Sequence, residues 1–170
     1  MKKLLLLLCA LALLCLPAAQ AQTAYTAACY GVPVMTVVYD EAAFSLDTES
    51  YLGSTFGPHI WLGMFYNGSY TVEMAADLYN DLPANCDQNQ LSAYLQNLLG
   101  VGQCVPLEPF TGLGQVPFVI FSVNTPAGAA YYAATLVQGY VIHFEIYNLR
   151  GGVDANALGV LQGLLYNVYY

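Results

Sequence analysis

The chain has 170 residues, 58% of them hydrophobic and only 8% charged, with a formal net charge of −8. That length suits one ordinary domain able to bury its own core. The acidity excludes the basic footprint that nucleic-acid binding requires and works against anionic lipid headgroups.

Residues 1–21 read as a secretory signal peptide. Lys2 and Lys3 form the charged start, Leu4 to Leu16 the apolar run, and Ala19-Gln20-Ala21 a small-x-small cleavage site. The run is shorter than the ~20 residues of a membrane helix. Leu8 and Leu14 precede the two leader cysteines, where lipid attachment needs a small residue. The short leader is bacterial in style, and the expected location is secreted or in the cell envelope. Cleavage leaves Arg150 as the only lysine or arginine against eleven acidic residues, a formal charge of about −10. Residues 22–170 are expected to form a single α+β domain without a membrane span. An outer-membrane barrel is disfavoured by amphipathic helix patterns and by strands apolar on both faces.

Gln22 to Tyr30 carries no strong pattern and reads as a loose lead-in. Val32 to Tyr39 predicts a first strand, Asp40-Glu41 a turn, and Phe44 to Leu46 a short second strand. Gly53 to Pro58 is loop-like. His59 to Tyr66 predicts a strand with Trp61 and Phe65 on one side and Ile60, Leu62 and Met64 on the other. Asn67-Gly68-Ser69 is a turn. Val72, Ala75, Tyr79 and Leu82 recur at helical spacing, so Val72 to Leu82 predicts a first helix, with Glu73, Asp77 and Asp81 on its solvated face.

Asp87 and Gln90 form a capping box for a second helix carrying Leu91, Tyr94, Leu95, Leu98 and Leu99. Val101 to Val116 is a Gly- and Pro-rich loop. Phe118 to Val123, Ala129 to Val137 and Tyr140 to Tyr147 then predict a three-strand meander, turning at Asn124 to Gly128 and at Gln138-Gly139. A two-residue turn at Gln138-Gly139 fixes the register. It places Tyr131, Ala133, Thr135 and Val137 opposite Ile146, Phe144, Ile142 and Tyr140 on a core face. The other face gathers Tyr132, His143 and Glu145. Gly151-Gly152 and a cap at Asp154 open a third helix, with Ala157, Leu158, Leu161, Leu164, Leu165 and Val168 on its apolar side.

The fold expected is thus an antiparallel sheet, made of the C-terminal meander plus N-terminal strands, with about three helices packed on it. The candidate ligand-binding residues are Tyr132, His143 and Glu145, with Glu145 orienting a titratable His143. No nucleophile elbow or phosphate loop is present, and the mature chain has no lysine for a Schiff base. No Cys-x-x-Cys or paired-histidine spacing occurs, so neither metal nor cofactor is expected. Of the three mature cysteines, Cys86 and Cys104 are the favoured disulfide. Closing that loop is worth about 3 kcal/mol in the chain-entropy account. Cys29 is left free, buried or available for a Cys29-linked dimer.

MTVVYDEAAFSL (Met35 to Leu46), Tyr131-Tyr132, Gln138-Gly139 and the Val160 to Val168 stretch, in this element order, resemble small exported bacterial domains of the PsbP-like α+β fold. The resemblance implies a non-catalytic accessory or binding domain and transfers no site residue. The function expected is therefore an exported soluble binding domain for an unknown protein or small ligand. The alternatives are a small secreted hydrolase using the Tyr132, His143 and Glu145 face, or a structural envelope protein joined through Cys29.

Overall fold

A computed structural model describes residues 21–50, 55–56, 59–78, 82–83, 86–99, 104–125, 128–148 and 155–170. Residues 1–20 of the expected leader, most of the Gly53 to Pro58 loop, the centre of the Asn124 to Gly128 turn, and the Gly151-Gly152 and Asp154 signals lie outside the described residues.

The C-terminal meander is present in the expected register. β9 (Pro117–Thr125), β10 (Gly128–Val137) and β11 (Tyr140–Asn148) run antiparallel, with Tyr132 opposite Glu145 and Ala134 opposite His143. Gln138 and Gly139 both take positive φ, 49° and 88°, the geometry a two-residue turn needs to match strand twist. β9 is buried on both faces. Phe118 and Ile120 enter one apolar cluster, and Val119, Phe121 and Val123 enter the other.

The meander sits inside a larger antiparallel sheet. β3 (Ser45–Asp47), β5 (His59–Asn67) and β6 (Tyr70–Leu78) extend it beyond β11, and β7 (Cys104–Pro106) closes the other edge. Short strands β4 (Thr55–Phe56) and β8 (Phe110–Thr111) pair with β5 and β9, within the loop regions expected of them. A second, three-stranded sheet joins β1 (Gln22–Cys29), β2 (Val32–Asp40) and β12 (Val168–Tyr169).

Two helices are present among the described residues, and each covers one face of the main sheet. α1 (Gln88–Leu99) packs on β7 and β9, burying Leu91 and Leu95 against Val119, Phe121, Tyr132, Ala134 and Val141. Its capping box forms as the sequence requires: Asp87 N–H donates to Gln90 Oε1 at 2.9 Å, and Gln90 N–H to Asp87 Oδ1 at 2.8 Å. α2 (Ala155–Leu165) buries Ala157, Leu161, Leu164 and Leu165 on the opposite face, beside the small sheet. There Tyr25, Tyr39 and Phe44 set their rings edge-on around Phe65.

Three expectations are corrected. Val72 to Leu82 is not a helix: residues 70–78 form β6, hydrogen-bonded on both sides, to β5 and β11. The helical spacing of Val72, Ala75 and Leu82 competes with an equally good alternation, in which Val72, Met74 and Ala76 face one way and Glu73, Ala75 and Asp77 the other. Two apolar strands needing partners decide between them. The lead-in at Gln22 is also a strand, since Tyr25, Ala27 and Cys29 alternate inward against β2. The last helix stops at Leu165, and Val168 belongs to β12, where it pairs with Val37.

The Gly-rich segment before β9 has a packing reason. A Cβ on Gly114 would lie 1.7 Å from the Val168 carbonyl oxygen, and one on Gly112 would lie 2.3 Å from that of Tyr166. Glycine lets this segment lie directly on the C-terminal turn, where Leu113 N–H donates to Tyr166 O at 2.7 Å. No helix among the described residues is long and apolar enough to cross a membrane.

Candidate functional site

Making residues 70–78 a strand changes which acids meet the meander. Glu73, Ala75 and Asp77 share one face of β6, the face that carries His143 and Glu145 on β11. Glu73 lies opposite Glu145, and Ala75 opposite His143.

β5 completes the site through a bulge. Its pairing with β6 shifts between Trp61 and Gly63, leaving Leu62 as the extra residue. Before the bulge His59 is opposite Asp77 and Trp61 opposite Ala75, while beyond it Phe65 is opposite Val72. An unbroken ladder would put Phe65, Trp61 and His59 on one side, as alternation along the sequence predicts. The bulge instead keeps Phe65 in the core and turns His59 and Trp61 to the face of His143. The Tyr25 hydroxyl donates to the Leu62 carbonyl, occupying a backbone acceptor at the irregularity.

Asp77 thus lies between two histidines. Its Oδ2 is 2.8 Å from His143 Nε2 and its Oδ1 is 3.2 Å from His59 Nδ1. The Asp77 side chain is fully buried, His143 is 5% exposed and His59 is 31% exposed, so solvent reaches the group at His59. The two rings sit 5.5 Å apart, tilted by 45°. Burial by itself would raise the Asp77 carboxyl, but the hydrogen bonds and charges of His143 and His59 outweigh it and hold the group at about 2. An ionised carboxylate only accepts, so Nε2 of His143 and Nδ1 of His59 are the donors. The Asp77 hydrogen bond raises the His59 pKa against the opposing effect of burial. His143 Nδ1 is buried and has no hydrogen-bond partner among the described residues.

Of the residues expected to form the site, His143 belongs to this network, while Tyr132 and Glu145 lie beside it. Tyr132 and Glu145 do meet: the Tyr132 hydroxyl donates to Glu145 Oε1 at 2.7 Å, and its ring stacks on Phe121. Burial raises both groups, with the Glu145 charge adding to the effect on Tyr132 and the Tyr132 hydrogen bond opposing it on Glu145. His143 shares their face, yet the acid that orients it is Asp77 rather than Glu145. Asp77 and His59 are candidate site residues that the sequence pattern did not single out. The strand alternation of Glu73, Ala75 and Asp77 was the available signal for one. The bulge that brings in His59 has no clear mark in the sequence beyond Gly63.

His59, Asp77 and His143 each offer one donor atom, all within 4.8 Å of one another, and are able to hold a metal ion. The cysteines lie elsewhere. Cys86 and Cys104 border the α1 cluster as free thiols, so the expected bond between them is not formed in this structure. Cys104 is drawn inward by the pairing of β7 with β9, where it lies opposite Val123. Cys29 is fully buried and its thiol is pushed up to about 11 by that burial. A Cys29 link to a second chain would need β1 to open.

An open cleft of about 320 Å³ lies apart from the histidines, lined among others by Cys86, Leu91, Pro109, Val119 and Tyr170. No protein-family model matches the chain, and no curated protein matches it.

Proposed function

We propose that the protein is an exported, non-catalytic binding domain of the cell envelope or its surroundings, with its ligand site where His59, Asp77 and His143 meet. The observation that carries this reading is how the polar groups of the face are engaged. Tyr132 is tied to Glu145, both oxygens of Asp77 are held by histidines, and within that Asp77–histidine group His59 opens to solvent. A hydrolytic site needs a nucleophile or activated water beside its base, with room for a substrate. Here α1 covers the Tyr132 side of the face, and the buried histidine turns toward a carboxylate. The resemblance to PsbP-like domains, which implies an accessory role, points the same way. The chain's acidity favours cationic or neutral ligands over nucleic acid.

The hydrolase reading draws on one observation, the His143–Asp77 hydrogen bond, which is how a carboxylate orients a general base. Two assays separate the readings. The exported chain is incubated with chromogenic esters, phosphates and glycosides, and it is screened by thermal shift against small envelope ligands. The binding reading expects no turnover, and ligand-induced stabilisation that His59→Ala removes. Turnover abolished by His143→Ala would sink it.

A further inference from the structure

We propose that His59, Asp77 and His143 form a binding site for one divalent transition-metal cation of the zinc type, with an open coordination position on the solvent side of His59. This deepens the reading above and rests on it. Two imidazoles and a carboxylate are a donor set that borderline cations such as Zn²⁺ accept, whereas Ca²⁺ and Mg²⁺ require oxygen-rich sites. With bonds of ~2.0–2.1 Å, a tetrahedral ion needs its donors only a little over ~3 Å apart. The carboxylate already stands 2.8 Å and 3.2 Å from the two ring nitrogens, and all three donor atoms fall within 4.8 Å. Modest side-chain rotation is enough to admit an ion among them.

The scaffold suits such a site. The donors come from β5, β6 and β11, three neighbouring strands locked in one hydrogen-bonded sheet. The bulge at Leu62 is what brings the β5 donor onto the right face. Asp77 and His143 close the site from the protein side, and His59 leaves it open from the other. An ion here takes His143 through Nε2 and His59 through Nδ1, each neutral ring then carrying its proton on the opposite nitrogen. Nothing among the described residues ties Nδ1 of His143, so no second hydrogen bond opposes turning Nε2 from the carboxylate to the ion. Glu73 and Glu145, paired across β6 and β11 on the same face, add negative charge nearby. Three protein donors leave a fourth position for water or a ligand from outside, the arrangement of an open rather than a closed site.

The test uses the full chain, expressed with its leader, recovered after export, stripped with chelator and titrated with Zn²⁺ by calorimetry. Co²⁺ serves as a spectroscopic stand-in. The expected result is one ion per chain, with the strong visible bands of four-coordinate Co²⁺. His59→Ala alters a partly exposed residue and should keep the fold, which circular dichroism checks. It should weaken binding by more than the ~10–100-fold that loss of an outer hydrogen-bond partner costs a metal site. Asp77→Asn should do the same, and Glu49→Gln, in an exposed turn, should change nothing. Absence of stoichiometric uptake overturns the proposal, and so does uptake that survives His59→Ala. Neither outcome touches the binding reading, which rests separately on ligand-induced stabilisation and the absence of turnover.

Discussion

Replacing Asp77 by Asn tests the central feature of the site, since Asn keeps the shape and removes the charge. The carboxyl is held at about 2 rather than 3.8 because the fold supplies two histidine donors that outweigh its burial. That lowering corresponds to about 2 kcal/mol favouring the ionised form in the folded state. The sign follows from each partner. A lowered acid contributes stability that is present above its unfolded value of 3.8 and is lost as pH falls toward about 2. A raised histidine contributes stability present below its unfolded value of 6.5 and lost as pH rises through its folded value. The two share the Asp77–His59 pair, with Asp77 ionised and His59 protonated, and the His143 hydrogen bond adds to the lowering of Asp77. The stability gap between wild type and Asp77→Asn should therefore peak between pH 3.8 and 6.5 and narrow on either side. Urea unfolding of both proteins across pH 2.5 to 8.5, with chelator present, reads the gap directly. Parallel stability curves across this range would refute the reasoning, because the carboxylate would then be decoupled from the histidines.

Three further outcomes are expected. Leu95→Ala removes a fully buried α1 side chain from the cluster with Val119 and Phe121; it should cost about 2–5 kcal/mol in urea unfolding, and a loss under about 1 kcal/mol would mean α1 is not anchored there. Gly114→Ala drives a Cβ to 1.7 Å from the Val168 carbonyl oxygen; amide exchange should show β12 losing protection, and an unchanged β12 would contradict the packing. Oxidation should join Cys86 to Cys104, which border one cluster, and leave buried Cys29 a thiol. Mass spectrometry of exported chain alkylated without reductant checks this, and three alkylated cysteines would exclude the bond.

The meander was legible because several signals agreed. Gln138-Gly139 demanded a tight turn, the flanking residues alternated, and a two-residue loop allows only one register, which is the one observed. The capping box of α1 was legible for the same reason, since residue types and spacing specify its two hydrogen bonds. β6 was not. Over Val72 to Leu82 the apolar residues satisfy both a helical and a strand period, and local pattern cannot choose between them. The choice belongs to tertiary structure: β5 and β11 each present an edge, and a strand satisfies both. That one ambiguity hid the candidate site, because a helix places Asp77 in solvent whereas a strand buries it beside His143. The bulge hid the rest, since a single extra residue reverses the facing of everything before it.

The charge balance of residues 22–170 explains why this site takes the form it does. A buried carboxylate requires a counter-charge or several donors, and proteins commonly supply arginine or lysine. Residues 22–170 hold one arginine, no lysine and two histidines. Both histidines converge on Asp77, from strands 84 residues apart at His59 and His143. An arginine in their place would stay charged at every physiological pH. Imidazoles do not, because their ordinary value of ~6.5 lies within that range. As pH rises through the raised value of His59 that ring gives up its positive charge while Asp77 stays ionised, with Glu73 and Glu145 nearby on the same face. What remains is a fixed anion beside two ring nitrogens placed to ligate with it. A domain needing only a stable core would gain more from an apolar pair of similar volume at these positions. Keeping the carboxylate between two histidines instead leaves three donor atoms within 4.8 Å of one another, and the proposed metal site rests on that arrangement.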